Sequence, residues 1–97
     1  MSERMPAPSV GEILKEEFME PLGISAYKLA KDIFVPVSRI QDILHGRRGI
    51  TADTALRLSR YFEVSERYFL NLQDDIDLRN EKMLHAEELA KIQAALA

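Results

Sequence analysis

Apolar positions in the first half of the chain recur every three or four residues and are interrupted by short polar breaks. Val10, Ile13, Leu14 and Phe18 share one helical face, Ser9 can cap the start, and Pro21 with Gly23 closes the segment. Ser25 is a second N-cap, and Ala26, Leu29, Ala30 and Ile33 line one face of a short second helix. Pro36 suits the first position of a third helix with the stripe Ile40, Ile43 and Leu44, and Gly46 stands where a helix end needs a left-handed residue. Only Phe34, Val35 and Pro36 separate the second and third helices. So short a link forces a steep crossing, the helix-turn-helix arrangement over residues 25–46.

The pattern continues with Thr51 capping a fourth helix, in which Ala55, Leu58 and Phe62 face inward, and Ser65 capping a fifth with Phe69, Leu72 and Ile76. No segment alternates with a strand's period of two, so the expected fold is all-α. The last stretch, "RNEKMLHAEELAKIQAALA", is rich in strong helix formers, places Leu89, Ile92 and Leu96 at i, i+3 and i+7, and sets Glu87 four residues before Lys91. It either prolongs the fifth helix or forms a tail helix of its own. The expected organisation is a domain over 1–79 and a helical tail over 80–97.

Composition fits that picture: 97 residues, 46% of them hydrophobic, suffice for one domain with one modest core. There is no cysteine, hence no disulfide framework and no Cys-based zinc site. The opening "MSERMPAPSV" lacks the apolar run of a secretory signal, and no stretch approaches the roughly 20 apolar residues of a membrane span. A cytoplasmic protein without membrane contact is expected.

Charge is distributed in blocks. The net −3 conceals a basic centre, residues 26–62, in which seven bases (Lys28, Lys31, Arg39, Arg47, Arg48, Arg57, Arg60) face three acids (Asp32, Asp42, Asp53). Residues 1–25 and 63–97 are both acidic. Charges farther than about 10 Å apart are screened at moderate salt, so a polyanion meets the local basic surface rather than the whole-chain sign.

Catalytic signatures do not emerge from the sequence. It has no phosphate-cradling glycine loop, no paired histidines at metal spacing and no cysteine nucleophile, and the adjacent acids Glu16/Glu17 and Asp74/Asp75 diverge on a helix. No enzyme activity, cofactor or metal is expected. His45 falls in the last turn of the third helix, where an imidazolium suits the helix dipole, and His85 stands alone in the tail. Tyr27, Tyr61 and Tyr68 follow the helix faces and read as core or rim aromatics.

Residues 11–79, through "GEILKEEF", "PLGIS", "ISAYKLAK", "HGRRGITADTALRL" and "YFLNLQ", resemble the HigA-type antitoxins within the Xre family of helix-turn-helix proteins. The resemblance implies a five-helix, lambda-repressor-like domain. It departs in one place: the family usually has glycine in the turn where this chain has Phe34, a residue that does not readily take positive φ. A strained corner, another turn geometry or a shifted third helix would each accommodate it.

By position in the motif, Val37, Ser38 and Gln41 would face bases in the major groove, and Arg39 would reach a guanine edge or a phosphate. Ser25 and Lys28 would lie along one backbone strand, with Arg47 and Arg48 on phosphates beyond the third helix. Val37 is apolar where related repressors often carry a polar reader, which suits a thymine methyl. Asp42 is either a plain surface residue or one that rejects some bases.

One such unit reads a short half-site, so a homodimer on a palindromic operator is expected, with the seam at Leu72, Ile76, Leu89 and Ile92; alternatively the tail folds back on its own subunit. The resemblance further implies a second partner, a HigB-type mRNA-cleaving RNase toxin, with repression of the shared operon. The acidic flanks would suit a basic toxin. Two other readings stay open: a stand-alone Xre-type repressor, and a toxin-binding protein that has lost DNA binding.

Overall fold

A computed structural model describes residues 8–96. They form six helices in sequence and, among the described residues, no strand. The first, α1, is a continuous helical run over residues 10–22: α-helical at Val10–Ile13, π-helical at Leu14–Met19, and α-helical again at Glu20–Leu22. Its start is a reciprocal capping box, the Glu12 N–H donating to Ser9 Oγ and the Ser9 N–H to Glu12 Oε1, each at 3.1 Å. On a regular α-helix Leu14 and Met19, five residues apart, would diverge by about 140°. The wider turn, in which the Glu20 N–H donates to the Lys15 carbonyl, stacks them on one side, and both are buried.

Helices α2 (Ala26–Ile33) and α3 (Val37–Leu44) form the predicted helix-turn-helix. Ser25 Oγ caps α2 by accepting the Lys28 N–H at 3.0 Å, and Pro36 is the N-cap of α3. Phe34 adopts φ 62°, ψ 48°, so the phenylalanine itself carries the left-handed backbone that glycine would otherwise supply. Neither a shifted helix nor a different corner is needed. The side chain is 84% exposed, so packing gives back little of the roughly 1–2 kcal/mol that this conformation costs an L-residue. Phe34→Gly should therefore raise stability by about 1 kcal/mol in a urea titration, after subtraction of glycine's extra unfolded-chain entropy; an unchanged or lower midpoint would show the corner to be unstrained.

Thr51 caps α4 (Ala52–Phe62) as expected, and α5 spans Tyr68–Leu84. Ser65 does not cap α5 directly: its hydroxyl accepts the Arg67 N–H at 3.2 Å and closes a turn, after which the regular helix begins. The core joins Leu14, Leu29, Ile40, Ile43, Leu58 and Phe69, all with essentially no solvent exposure. Phe18 lies 5.1 Å from both Phe62 and Phe69, ring centre to ring centre, and locks α1 against α4 and α5. Where α1 crosses α3, Gly11 allows the two backbones to touch: a Cβ there would lie 2.9 Å from the Ile43 carbonyl carbon and 3.0 Å from Leu44 Cα.

Both expectations for the tail are met in part. Helix α5 runs on to Leu84, and after His85 a separate helix α6 covers Ala86–Lys91. Every residue described beyond Ile76 is exposed. Ile92 takes an extended conformation and Leu96 lies outside any helix, so the expected Leu89, Ile92 and Leu96 face does not form: α6 ends too early. His85 is not alone at the α5/α6 joint; its ring nitrogens approach Glu81 at 3.3 Å and Glu88 at 3.8 Å.

Candidate nucleic-acid interface

The α2–α3 crossing turns one edge of the domain into a surface with exposed cations and an accessible helix N-terminus. Pro36 makes no side-chain cap, and on the first turn of α3 Val37 and Ser38 are exposed while Gln41, one turn on, is half-buried. Ser25, Tyr27 and Lys28 are exposed at the start of α2, so Tyr27 is no core aromatic. Arg47 and Arg48 are exposed on the loop after α3, which turns at Gly46 with φ 76°.

Each of the three acids in the basic block holds at least one of the cations. Lys28 pairs with Asp32 at 2.9 Å, Arg47 with Asp42 at 3.1 Å, and Arg39 with Asp53 at 3.1 Å, while Asp53 also accepts Arg57 at 3.0 Å. Asp42 is half-buried and accepts from Arg47, which places its carboxylate beside the loop. Solvent-exposed pairs of this kind contribute little stability, and a phosphate can displace the carboxylate cheaply. Arg48 makes no ion pair among the described residues and is the most readily available cation on the loop.

Arg39 lies differently from a residue extended toward bases. Its guanidinium is turned back onto α4, and its side chain is only 29% exposed. Arg57 continues the connection by donating to the Ile33 carbonyl at 2.8 Å. Arg39, Asp53 and Arg57 thus link α3 and α4 to the last carbonyls of α2 and brace the strained corner at Phe34. Tertiary contacts of this range leave no trace in local spacing.

These bonds depress two carboxyl groups. The Arg57 hydrogen bond, assisted by Arg39, holds Asp53 below the usual 3.8, and the Tyr61 hydroxyl at 2.6 Å, together with Lys28, does the same for Asp32. A depressed folded-state pKa contributes stability that is complete above the unfolded value and lost as pH falls through the folded one. The urea midpoint should accordingly drop below about pH 4, and Asp53→Asn should make that acid decline shallower; an unaltered decline would remove Asp53 from the account.

Gln73 is a site residue that the sequence reading missed. Its Oε1 accepts the Ile50 N–H at 2.6 Å and its Nε2 donates to the Ile50 carbonyl at 2.8 Å, fixing the Arg47–Arg48 loop to α5. The signal was a polar residue on an apolar stripe, Gln73 between Phe69 and Ile76 at i, i+4 and i+7.

The expected seam residues separate into two groups. Ile76 is 7% exposed within the chain's own core and Leu72 packs against that core, whereas Leu89 and Ile92 are exposed. Leu78, Met83 and Leu84, which were not among the expected residues, are exposed beside them on α5. No group of three or more metal-ligating side chains occurs among the described residues, and no helix described is long and apolar enough to cross a membrane.

Comparison with known proteins places this geometry. Residues 15–69 match the helix-turn-helix family HTH_3. The chain is 53% identical over 75 residues to virulence-associated protein I of Dichelobacter nodosus, covering 77% of this chain and 69% of that protein. It superposes on the Pseudomonas aeruginosa antitoxin HigA, solved with the higBA promoter, with a TM-score of 0.84 and 34% identity over 95% of this chain and 100% of that one. The antitoxin GraA in complex with its operator gives a TM-score of 0.85 and 37% identity over 100% and 99%.

Proposed function

The chain belongs to the Xre-type helix-turn-helix family that includes the HigA antitoxins, and from that membership we propose that it represses its own operon as a homodimer and neutralises a HigB-type mRNA-cleaving RNase. The observation that carries the DNA reading is the open first turn of α3, with Val37 and Ser38 exposed between the Lys28 edge and the Arg47–Arg48 loop. Val37 and Ser38 read base edges, Val37 against a thymine methyl, with Gln41 reaching in behind them; Ser25, Lys28, Arg47 and Arg48 position the backbone. Arg39, turned back onto Asp53, reaches a guanine edge or a phosphate only by leaving that pair.

Specific reading needs two half-sites about 34 Å apart. The exposed residues Leu78, Met83, Leu84 and Leu89 on an arm with no core of its own favour a second copy as its cover. Arg48→Ala should weaken binding to the promoter and to an unrelated duplex alike, and reduce the salt slope by about one per protomer. A loss confined to the promoter would make Arg48 a base reader instead.

Toxin neutralisation is supported by charge. Glu16, Glu17 and Glu20 on α1 and Asp74, Asp75 and Asp77 on α5 are exposed outside the basic block, and an RNA-binding toxin needs a basic face. Reversing each trio to lysine separately and measuring capture of a HigB-type toxin tests this: at least one variant should lose capture, and full retention by both would exclude the acidic flanks as the contact.

A further inference from the structure

The loop carrying Arg47 and Arg48 is fastened at both ends by backbone hydrogen bonds. On the α3 side the Gly46 N–H donates to the Ile43 carbonyl at 3.1 Å and the Arg47 N–H to the Asp42 carbonyl at 2.8 Å. At the far end both backbone groups of Ile50 are taken by the one amide of Gln73, 23 positions later. Ile50 itself is buried, so its side chain plugs the core while Gln73 fixes its height. Between the two fastenings lies a cleft of about 400 Å³ that reaches from Gly46 and Arg47 to Gln73 and Asp77. In the middle of the loop Arg47 is also paired with Asp42 at 3.1 Å, while Arg48 and Gly49 are exposed.

Gly49 belongs to the same arrangement. It does not take a positive φ, so its backbone would accept alanine, yet a Cβ there would stand 2.8 Å from Gln73 Oε1. A methyl at 49 would push the end of the Gln73 amide away from its place on Ile50. Helix α5, which carries Gln73, is also the helix that continues into the exposed arm.

We infer that Gln73 is a positioning residue for nucleic-acid binding: its amide sets the placement of the Arg47–Arg48 loop against α3, and so the reach of both arginines to the phosphates. The inference rests on the DNA-binding reading above. Gln73 touches no nucleic acid in this scheme; it acts through the two arginines. Removing its amide leaves the cations in place but releases the loop over the cleft, so that ordering the loop becomes part of the cost of binding.

A double-mutant cycle separates this role from a merely structural one. The probe is a duplex of the protein's own upstream region, with the full chain as titrant and thermal midpoints recorded for every variant. Gln73→Met, which retains the packing and removes both hydrogen bonds, should weaken binding about tenfold, the equivalent of about 1.4 kcal/mol. In an Arg47→Ala/Arg48→Ala background the same change should matter less than about twofold, because the groups it positions are gone. Gly49→Ala supplies the second route: it should weaken binding when Gln73 is present and have no effect once residue 73 is alanine, where the Cβ finds room.

An equal loss in both backgrounds, or no loss from Gln73→Met in a folded protein, overturns the inference while the DNA-binding reading stands. Failure of the unmodified chain to bind its upstream duplex overturns both.

Discussion

Gly11→Ala is expected to cost the domain about 2 kcal/mol or more, although the same change in an exposed helix would gain about 1 kcal/mol from helix propensity. The sign reverses because the new methyl would meet the backbone of Ile43 and Leu44, not the flexible end of a side chain. A backbone inside α3 cannot rotate aside, so α1 and α3 must separate as bodies, and overpacking of this kind typically costs about 1–3 kcal/mol, occasionally more. The separation would also tilt α3 relative to Ser25 and the Arg47–Arg48 loop, so operator affinity should fall together with stability. Urea titration measures the first effect and duplex binding the second. A stabilised Gly11→Ala protein would mean that α1 and α3 are not in backbone contact.

The second large effect is expected from shortening the chain after Arg79. The last buried side chain is Ile76, and every residue described beyond it is exposed, so the truncated domain keeps its core and should melt within a few degrees of the full chain. It loses Met83, Leu84 and Leu89, three of the four apolar residues proposed to meet a second copy. A monomer holds one half-site without the effective concentration that a linked second unit provides, and that linkage is worth about 10²–10⁴ in affinity. The truncated protein should therefore sediment as a monomer and bind the operator at least about a hundredfold more weakly. A truncated chain that remains dimeric would relocate the seam to the domain itself.

These expectations show which features local sequence carries. Ser9, Ser25 and Thr51 were legible as caps because a cap is a relation across three residues, and each accepts the backbone N–H three positions on. Gly46 was legible as a left-handed helix end, and Gly23 as the close of its helix, for the same local reason. Glu63, with φ 57° at the end of α4, was not, since glutamate gives no sign of a left-handed backbone. The π-helical segment was hidden because Leu14 and Phe18 also fit an α-helical stripe; only the burial of Met19 betrays it.

The surface proposed to bind nucleic acid was legible in part. Motif position identified the exposed residues Val37, Ser38, Arg47 and Arg48, which depend on local helix geometry. The return of Arg39 onto Asp53, the two bonds from Gln73 to Ile50 and the close approach at Gly11 all join residues far apart in sequence. Ile76 looked like surplus apolar surface along α5 but is needed by the domain's own core. Periodicity identifies a face as apolar without saying which neighbour covers it.

The central claim is that the surface around α3 binds the chain's own operator through phosphates and base edges together. Titrating the purified protein into a duplex of its own upstream region, at two salt concentrations and beside an unrelated duplex of equal length, tests it most directly. The account predicts tight binding that falls steeply with salt, and a preference for the upstream duplex that survives the higher salt. Equal affinity for both duplexes, or none for either at low salt, would contradict it.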